Sequence, residues 1–499
     1  MNNQYKPIQL HKPRKWPWVL FVIVSILFGT GWYAYTWLKQ LDPADIFESE
    51  FVRDQVERQL GEDKAELFDL LPGLLGFTEK KTYLVLLLNN TEMRPGGGFI
   101  GTYAVVEANK GSVNVLEVEG TERIDGRTPA SWNPKPIPVL EEHLHVDKWY
   151  FRDSNWSPDF PTGAQKALEL YKGESGVAAE RIDTVVAITT TVLEELLEIT
   201  GPIEIQGITF DAQTGIETLE YEVEYGFKKR GISFAERKQI IEPFMSELMD
   251  RLTDDVFQNL DIYEEALNKM TEEKHLFVYS KDEDFQKKMD EYDWSGRMHE
   301  STGDYLLWTD ANLAALKTDH AMERTLSYSL SKRPPAHELE DFHYLAAATM
   351  TYTNNGSFDW RTTRYRTYAR VFVPLGSKLV SVVGSMKWDR TDEEGVVDEG
   401  IENGRQWFGT FIAIEPGETK SLEFIYRLPA HVTDDIENDS YTLFVQKQLG
   451  TINHGLTLGL DFGKTITVAK PAEDEQEWFD TSYTYSTDLH IDREFHVSF

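Results

Sequence analysis

The spacing of apolar positions changes several times along this chain, and each change marks a different element. Residues 16–38 (WPWVLFVIVSILFGTGWYAYTWL) form an apolar run without a single charge. At ~1.5 Å rise per residue the run reaches roughly 30 Å, the thickness of a hydrocarbon core, and predicts one transmembrane helix. Residues 39–80 read as an acidic helical stalk, with Phe47, Phe51, Val56, Leu60, Leu67 and Leu71 at loose helical spacing and a break at Pro72-Gly73. The stretch 83–106 (YLVLLLNNTEMRPGGGFIGTYAVV) is different: two β-branched and aromatic runs flank a polar turn, the pattern of two buried strands. A third strand, 112–118, follows the hairpin signal Asn109-Lys110-Gly111. Between about 120 and 160 the chain is irregular and rich in proline and tryptophan, and a loop of that length is commonly functional or disordered.

Helical and strand patterns then alternate, with helices over 162–171 and 191–199 and strands over 183–188 and 203–205. That alternation predicts an α/β or α+β core domain over 81–320. From Ser233 the sequence SFAERKQIIEPFMSELMDRL puts Ile240, Ile241, Phe244, Leu248 and Leu252 on one stripe, with Ser233 as N-cap, Glu236 at the capping-box position and Pro243 as a kink. Helix is expected to continue to about residue 290. Beyond about 320 the period shortens: 324–331, 343–354, 365–373, 378–384, 406–414, 420–427 and 441–448 read as strands separated by turns such as Asn354-Asn355-Gly356 and Pro416-Gly417-Glu418. This predicts a C-terminal antiparallel β-sandwich over 321–470. Residues 471–499 are an acidic tail or a last strand.

Charge orients the chain. Residues 1–15 form a basic tail in which Lys6, Lys12, Arg14 and Lys15 precede the apolar run with no acidic residue, and Trp16, Trp18, Trp32, Tyr33, Tyr35 and Trp37 lie near its ends. Basic flank inside and aromatics at both interfaces predict a single-pass anchor in the cell membrane, N-terminus cytoplasmic and the bulk of the chain extracytoplasmic. A cleaved signal peptide is the competing reading, but no small-x-small site follows the run. All 84 acidic residues lie beyond residue 40, and the net charge is −34. Such a surface repels nucleic acid, so no nucleic-acid partner is expected. With no cysteine, disulfides, thiolate metal sites and cysteine nucleophiles are excluded.

Three clusters could carry chemistry. In the glycine turn, Arg94 and the amides around Gly96, Gly97 and Gly98 could hold a phosphate or carboxylate; alternatively the glycines form a tight bulge and Arg94 pairs with Glu92. In RDSNWSPDFP, Arg152, Asp153, Asn155 and Asp159 could ligate Mg²⁺ or Ca²⁺, or simply order a long loop. Lys228, Lys229, Arg230, Arg237 and Lys238 could line an electropositive wall or form a solvated face. His143 and His145 have no partner at zinc spacing, and no P-loop, dinucleotide fingerprint or nucleophile elbow is present.

The runs NNTEMRPGGGFIGTY, RDSNWSPDFP and RIDTVVAITTTVLEELLEITGPIEI, with SFAERKQIIEPF and NLAALKTD (312–319), resemble the bacterial domain-of-unknown-function family 4012 over roughly 80–430. More distantly, the order of elements is similar to the LytR-CpsA-Psr cell-envelope proteins, single-pass phosphotransferases that move glycopolymers from a polyprenyl-pyrophosphate carrier. That likeness implies a LytR-CpsA-Psr-like core in which Arg94, Arg230 and Arg237 grip a pyrophosphate, Arg123 and Arg152 lie nearby, and Asp125 or Asp153 holds Mg²⁺. It departs from the family just after Arg94, where Pro95 and Gly96 replace the expected acidic residue. The expectation is an envelope module that binds an anionic or glycan ligand. The alternative is a phosphotransferase or hydrolase acting on polyprenyl-pyrophosphate-linked glycopolymers, with a polyprenyl-phosphate lipid or cell-wall glycan as partner.

Overall fold

The apolar runs beside the glycine turn form central strands, which explains their lack of alternation: both faces are covered. In the computed structural model, which describes residues 71–499 apart from 78, 256–258, 334–342 and 474–479, the chain is α+β with several sheets and no closed barrel. The predicted span over 16–38 and most of the stalk lie outside the described residues. Among the described residues no helix is long and apolar enough to cross a membrane.

The first strands are β1 (Lys81–Asn89), β2 (Phe99–Asn109), β3 (Ser112–Gly120) and β4 (Thr184–Thr189); β5 (Ile203–Ile205) and β6 (Ile208–Phe210) form a small antiparallel pair, and β7 (Leu276–Ser280) completes the main sheet in the order β3-β2-β1-β4-β7. The turn between β2 and β3 is the predicted one, Lys110 and Gly111 both having positive φ. β1 and β4 run parallel, with Tyr83 opposite Thr184 and Leu88 opposite Thr189, whereas β4 and β7 are antiparallel. The helix Phe160–Gly173 packs Ala164, Ala167, Leu170 and Tyr171 into the core that holds Leu84, Leu86, Leu88 and Phe277.

The described residues divide into two compact units, one drawn from 71–82, 106–116 and 194–270 and the other from 83–105, 117–193 and 271–499. In the first unit Ile240, Phe244, Leu248 and Leu252 are buried as the stripe requires. The helix, however, spans Ile241–Asp255 and does not start at Ser233, which opens a short 3₁₀ turn, Phe234–Glu236. The cause is Pro243. Inside a helix begun at Ser233 its ring would clash with a preceding carbonyl, but in the first turn its missing N–H costs nothing.

The second unit continues into two further sheets. Their strands are β8 (Asp304–Asn312), β9 (Met322–Arg333), β10 (His343–Asn354), β11 (Tyr365–Pro374), β12 (Lys378–Val383), β13 (Asp398–Glu402), β14 (Arg405–Ile414), β15 (Thr419–Arg427), β16 (Ser440–Gln446), β17 (Gly455–Asp461), β18 (Val468–Lys470), β19 (Ser482–Asp488) and β20 (Arg493–Ser498). A six-stranded sheet, β12-β15-β10-β9-β17-β19, and a seven-stranded one, β13-β14-β11-β8-β16-β20-β18, enclose a single hydrophobic core. Strand β10 shows the strict alternation of one covered face, with Tyr344, Ala346, Ala348, Met350 and Tyr352 inward. The sandwich is not purely antiparallel as expected: β16 pairs parallel with β8, and β17 parallel with β9. Both parallel partners arrive through long connections, which parallel pairing requires. β8 begins before residue 321, and the stretch after 470 supplies both β19 and β20.

Candidate functional site

The glycine turn joins β1 to β2, and its backbone is packed against neighbouring backbone. Gly96 N–H donates to Asn155 O at 3.0 Å, Gly97 N–H to Arg94 O at 3.0 Å, and the Asn155 amide donates to Gly98 O at 2.6 Å. Gly97 and Gly98 have φ of +111° and +133°, and a Cβ on Gly97 would stand 2.9 Å from a Leu88 methyl. Glycine is needed here for close approach, and Gly96, Gly97 and Gly98 are buried.

Arg94 is 3% exposed, and its Nε and Nη1 are engaged. Its Nε lies 3.3 Å from Asp153 Oδ1, and Nη1 donates to Met93 O at 3.1 Å and Asn312 O at 2.7 Å. Met93 N–H in turn donates to Asp319 Oδ2 at 3.0 Å, as does the Asn312 amide at 2.8 Å. Asp319 is held by Arg324 at 2.5 Å and by the Tyr365 hydroxyl at 2.9 Å, while Arg324 Nε lies 3.2 Å from Asp310. Nearby, Thr190 and Thr191 hydroxyls bond the two ends of the Asn90 amide at 2.5 and 2.8 Å. Residues from stretches that look like separate motifs, 89–98, 152–161 and 312–319, together with Thr190 and Thr191, therefore meet in one buried polar junction between the main sheet and the sandwich. Burial pushes the carboxyls of Glu92 and Asp310 upward, with Arg94 opposing the shift at Glu92 and Arg324 at Asp310.

Beside this junction stands the most perturbed carboxyl pair. Asp125, on the short helix Thr121–Gly126, is 6% exposed, and Glu174, just past the helix Phe160–Gly173, is completely covered. Glu174 Oε1 accepts from Phe151 N–H at 2.8 Å, whereas Glu174 Oε2 and both Asp125 oxygens accept no hydrogen bond among the described residues. Burial first, then the charge of Glu174, pushes the Asp125 carboxyl up to about 9, with Arg152 opposing; burial also raises Glu174. A proton held between the two carboxyls would satisfy both. Arg152, 29% exposed at its side chain, caps the pair, with Nη1 3.1 Å from Asp125 Oδ2 and Nε 3.5 Å from Asp153 Oδ2.

The structure thus brings together Arg94, Gly96, Gly97, Gly98, Arg152, Asp125 and Asp153. Arg123 shares a short helix with Asp125, but its side chain is 58% exposed and turns to Glu119 at 3.5 Å. Arg230 and Arg237 belong to the first unit. Arg230 pairs with Glu222 at 2.8 Å, and Arg237 lies 4.0 Å over the Phe234 ring. The expected Mg²⁺ site does not fit the residues. A guanidinium occupies the place between Asp125 and Asp153, burial pushes the Asp125 carboxyl toward its neutral form, and no group of three or more ligand-type side chains forms among the described residues. Asp159 is a helix cap, accepting from Thr162 N–H at 3.0 Å. His143, stacked on Phe411 at 4.5 Å, is a core histidine whose burial lowers it to about 4.

The sequence reading overlooked Glu174, Arg324 and Asp310. Glu174 carries no local cue. An aspartate in the middle of YLLWTDAN was a usable one, since a polar residue inside an apolar strand must be paired.

Residues 78–223 match the family model of DUF4012, a protein of unknown function. The DUF4012 match covers the glycine turn, the Asp125–Arg152 region and the helix Phe160–Gly173, but it stops well short of residue 430, to which the motif resemblance extended. It lends no support to the LytR-CpsA-Psr likeness. No curated protein matches the chain. Among solved structures, a protein described as nutrient-binding from Legionella pneumophila is 9% identical, with a TM-score of 0.26 over 39% of this chain and 71% of that one. An M1 zinc metallopeptidase from Deinococcus radiodurans is 12% identical, with a TM-score of 0.17 over 36% of this chain and 42% of that one, so the match spans less than half of its length. Likeness at that level carries no argument about fold or activity.

Proposed function

We propose that this chain is a single-pass protein of the bacterial cell envelope whose extracytoplasmic part binds an anionic or glycan ligand without transforming it. The anchor rests on the charge-free run 16–38 and its basic N-terminal flank. The non-catalytic reading of the glycine turn is supported by one observation: Arg94, at 3% exposure, directs Nε to Asp153 and Nη1 to Met93 O and Asn312 O, so its charge is matched by a buried carboxylate and is not presented to a transferring phosphoryl group. The phosphotransferase alternative would need Arg94 and Arg152 open to a substrate, and both are paired to aspartates.

Because the chain lacks cysteine, single cysteines report its topology. On intact cells a membrane-impermeant maleimide should label Glu394→Cys and leave Gln9→Cys unlabelled. The reverse pattern, or labelling of neither, refutes the orientation. Release of glycopolymer from a pyrophosphate-linked lipid by the purified chain would refute the non-catalytic reading.

A further inference from the structure

The basic cluster of the first unit has a feature that its sequence did not disclose. The helix Gly215–Tyr221 runs into a π-helical turn, Glu222–Gly226, and then into the short helix Phe227–Lys229. Wide turns of this kind occur at functional sites more often than chance. This one places Tyr221 and Tyr225 in a stack with centroids 6.2 Å apart. From Tyr225 to Phe234 the chain carries three basic residues and no acidic one, in a protein of net charge −34. Tyr225 is 40% and Phe234 65% exposed, and Lys228, Lys229 and Ser233 are exposed beside them. Glu222 neutralises Arg230 at 2.8 Å, and Ser233 bonds Glu236 at 2.7 Å, which leaves Lys228 and Lys229 as the outward charges of the turn.

We infer that this surface, Tyr225, Lys228, Lys229 and Phe234, docks on an anionic phospholipid bilayer. Exposed aromatic rings flanked by lysines are the composition that settles at a membrane interface, the rings entering the headgroup layer while the ammonium groups meet lipid phosphates. The ring faces argue against a sugar platform. Lys229 Nζ stands 5.2 Å over Tyr221, Lys228 Nζ 5.8 Å over Tyr225 and the Arg237 guanidinium 4.0 Å over Phe234, so one face of each ring on which a pyranose would stack already holds a cation. The remainder of so acidic a surface is repelled by the same lipids, which makes this turn the point of contact. The inference rests on the extracytoplasmic, membrane-anchored reading and names a second partner for it.

The full chain, with Ser233→Cys as its one thiol carrying an environment-sensitive dye, is reconstituted into phosphatidylcholine vesicles with and without phosphatidylglycerol. Docking predicts a blue-shifted emission and protection from aqueous iodide with phosphatidylglycerol only, both reversed by high salt. Lys228→Glu with Lys229→Glu should lower the ratio of docked to free label roughly 30-fold, about fivefold for each lysine. Phe234→Ser should weaken it independently. Emission that ignores phosphatidylglycerol or the charge reversal overturns the inference, as does equal protection in pure phosphatidylcholine or protection by a soluble glycan without vesicles. A dye at Glu394→Cys should stay aqueous throughout. Failure here leaves the maleimide topology result untouched, and failure there leaves this result readable.

Discussion

Asp125→Asn is the sharpest test of the buried carboxyl pair. The Asp125 carboxyl titrates near 3.8 in an unfolded chain and is pushed up to about 9 in the folded one, chiefly by burial and then by Glu174. Below about pH 4 both states hold the proton and the site adds no pH dependence. Between about 4 and about 9 the folded state keeps a proton that the unfolded state has lost, so stability falls as pH rises, by ~1.4 kcal/mol per unit for an isolated group. Above about 9 the loss is complete. The opposing charge of Arg152 and the sharing of the proton with Glu174 reduce this, and an expected span of about 2–4 kcal/mol between pH 5 and pH 8 is reasonable. Asparagine stays neutral at every pH and can donate to Glu174 from its amide, as the protonated acid does. The variant should therefore equal the wild type near pH 4 and exceed it increasingly up to pH 8. The assay is urea unfolding of detergent-solubilised chain followed by tryptophan fluorescence at each pH. Taking the difference between variant and wild type cancels other groups, such as Lys447, which burial lowers to about 7. A difference that does not change with pH would refute the shared proton.

Two substitutions probe the junction itself. Arg94→Met leaves the buried Asp153 carboxylate with Arg152 as its remaining cation and the Asn312 carbonyl without its guanidinium donor, and should cost about 2–4 kcal/mol in urea unfolding; adding Asp153→Leu should recover part of that, and a double variant no more stable than the single one would contradict the charge-pair account. Gly97→Ala forces a Cβ into a φ of +111° and within 3.0 Å of both Leu88 and Phe277, and should cost about 2 kcal/mol or more. An unchanged melting temperature would mean the turn opens in solution.

The parts of the fold that follow from local rules were legible. The central strands announced themselves because burial on both faces leaves no alternation to misread, and the Lys110-Gly111 turn because only positive φ closes a two-residue hairpin. The sandwich strands from β9 to β12 and β14 to β16 showed as short runs between turn residues. What failed was non-local. β8 contains Asp304, Asp310 and Asn312, polar residues that look unfit for a central strand until Tyr328 and Tyr441 are seen bonding Asp304 at 2.6 Å and Tyr352 bonding Asp310 at 2.8 Å. The tyrosines come from residues far along the chain, so nothing near β8 predicts the compensation. The same holds for the parallel partners β16 and β17, whose register depends on where the long connections return. At the candidate site the residue types were legible, and so was their concentration in a few motifs. Their purpose was not, because whether Arg94 faces solvent or Asp153 depends on how residues 59 positions apart are brought together.

The electrostatic balance of the junction explains why an arginine-and-glycine turn can resemble an anion site and yet be none. Three guanidinium groups, Arg94, Arg152 and Arg324, sit among six carboxyl groups, Glu92, Asp125, Asp153, Glu174, Asp310 and Asp319. An entering pyrophosphate would meet surplus negative charge and would have to displace a carboxylate from each arginine it touched. A real anion site is arranged the other way, with donors in excess of acceptors so that the ligand completes the set. Here the orphaned buried atoms are mainly acceptors, Glu174 Oε2 and both Asp125 oxygens, and the upward shift of both carboxyls agrees with a cluster already rich in negative charge. Such a network ties the sheet to the sandwich, because its partners come from segments far apart in the chain. The same reasoning moves the search for a ligand outward. In a chain this acidic, an anionic partner is met best where cations stand exposed at the surface, as Lys228 and Lys229 do and the buried Arg94 does not.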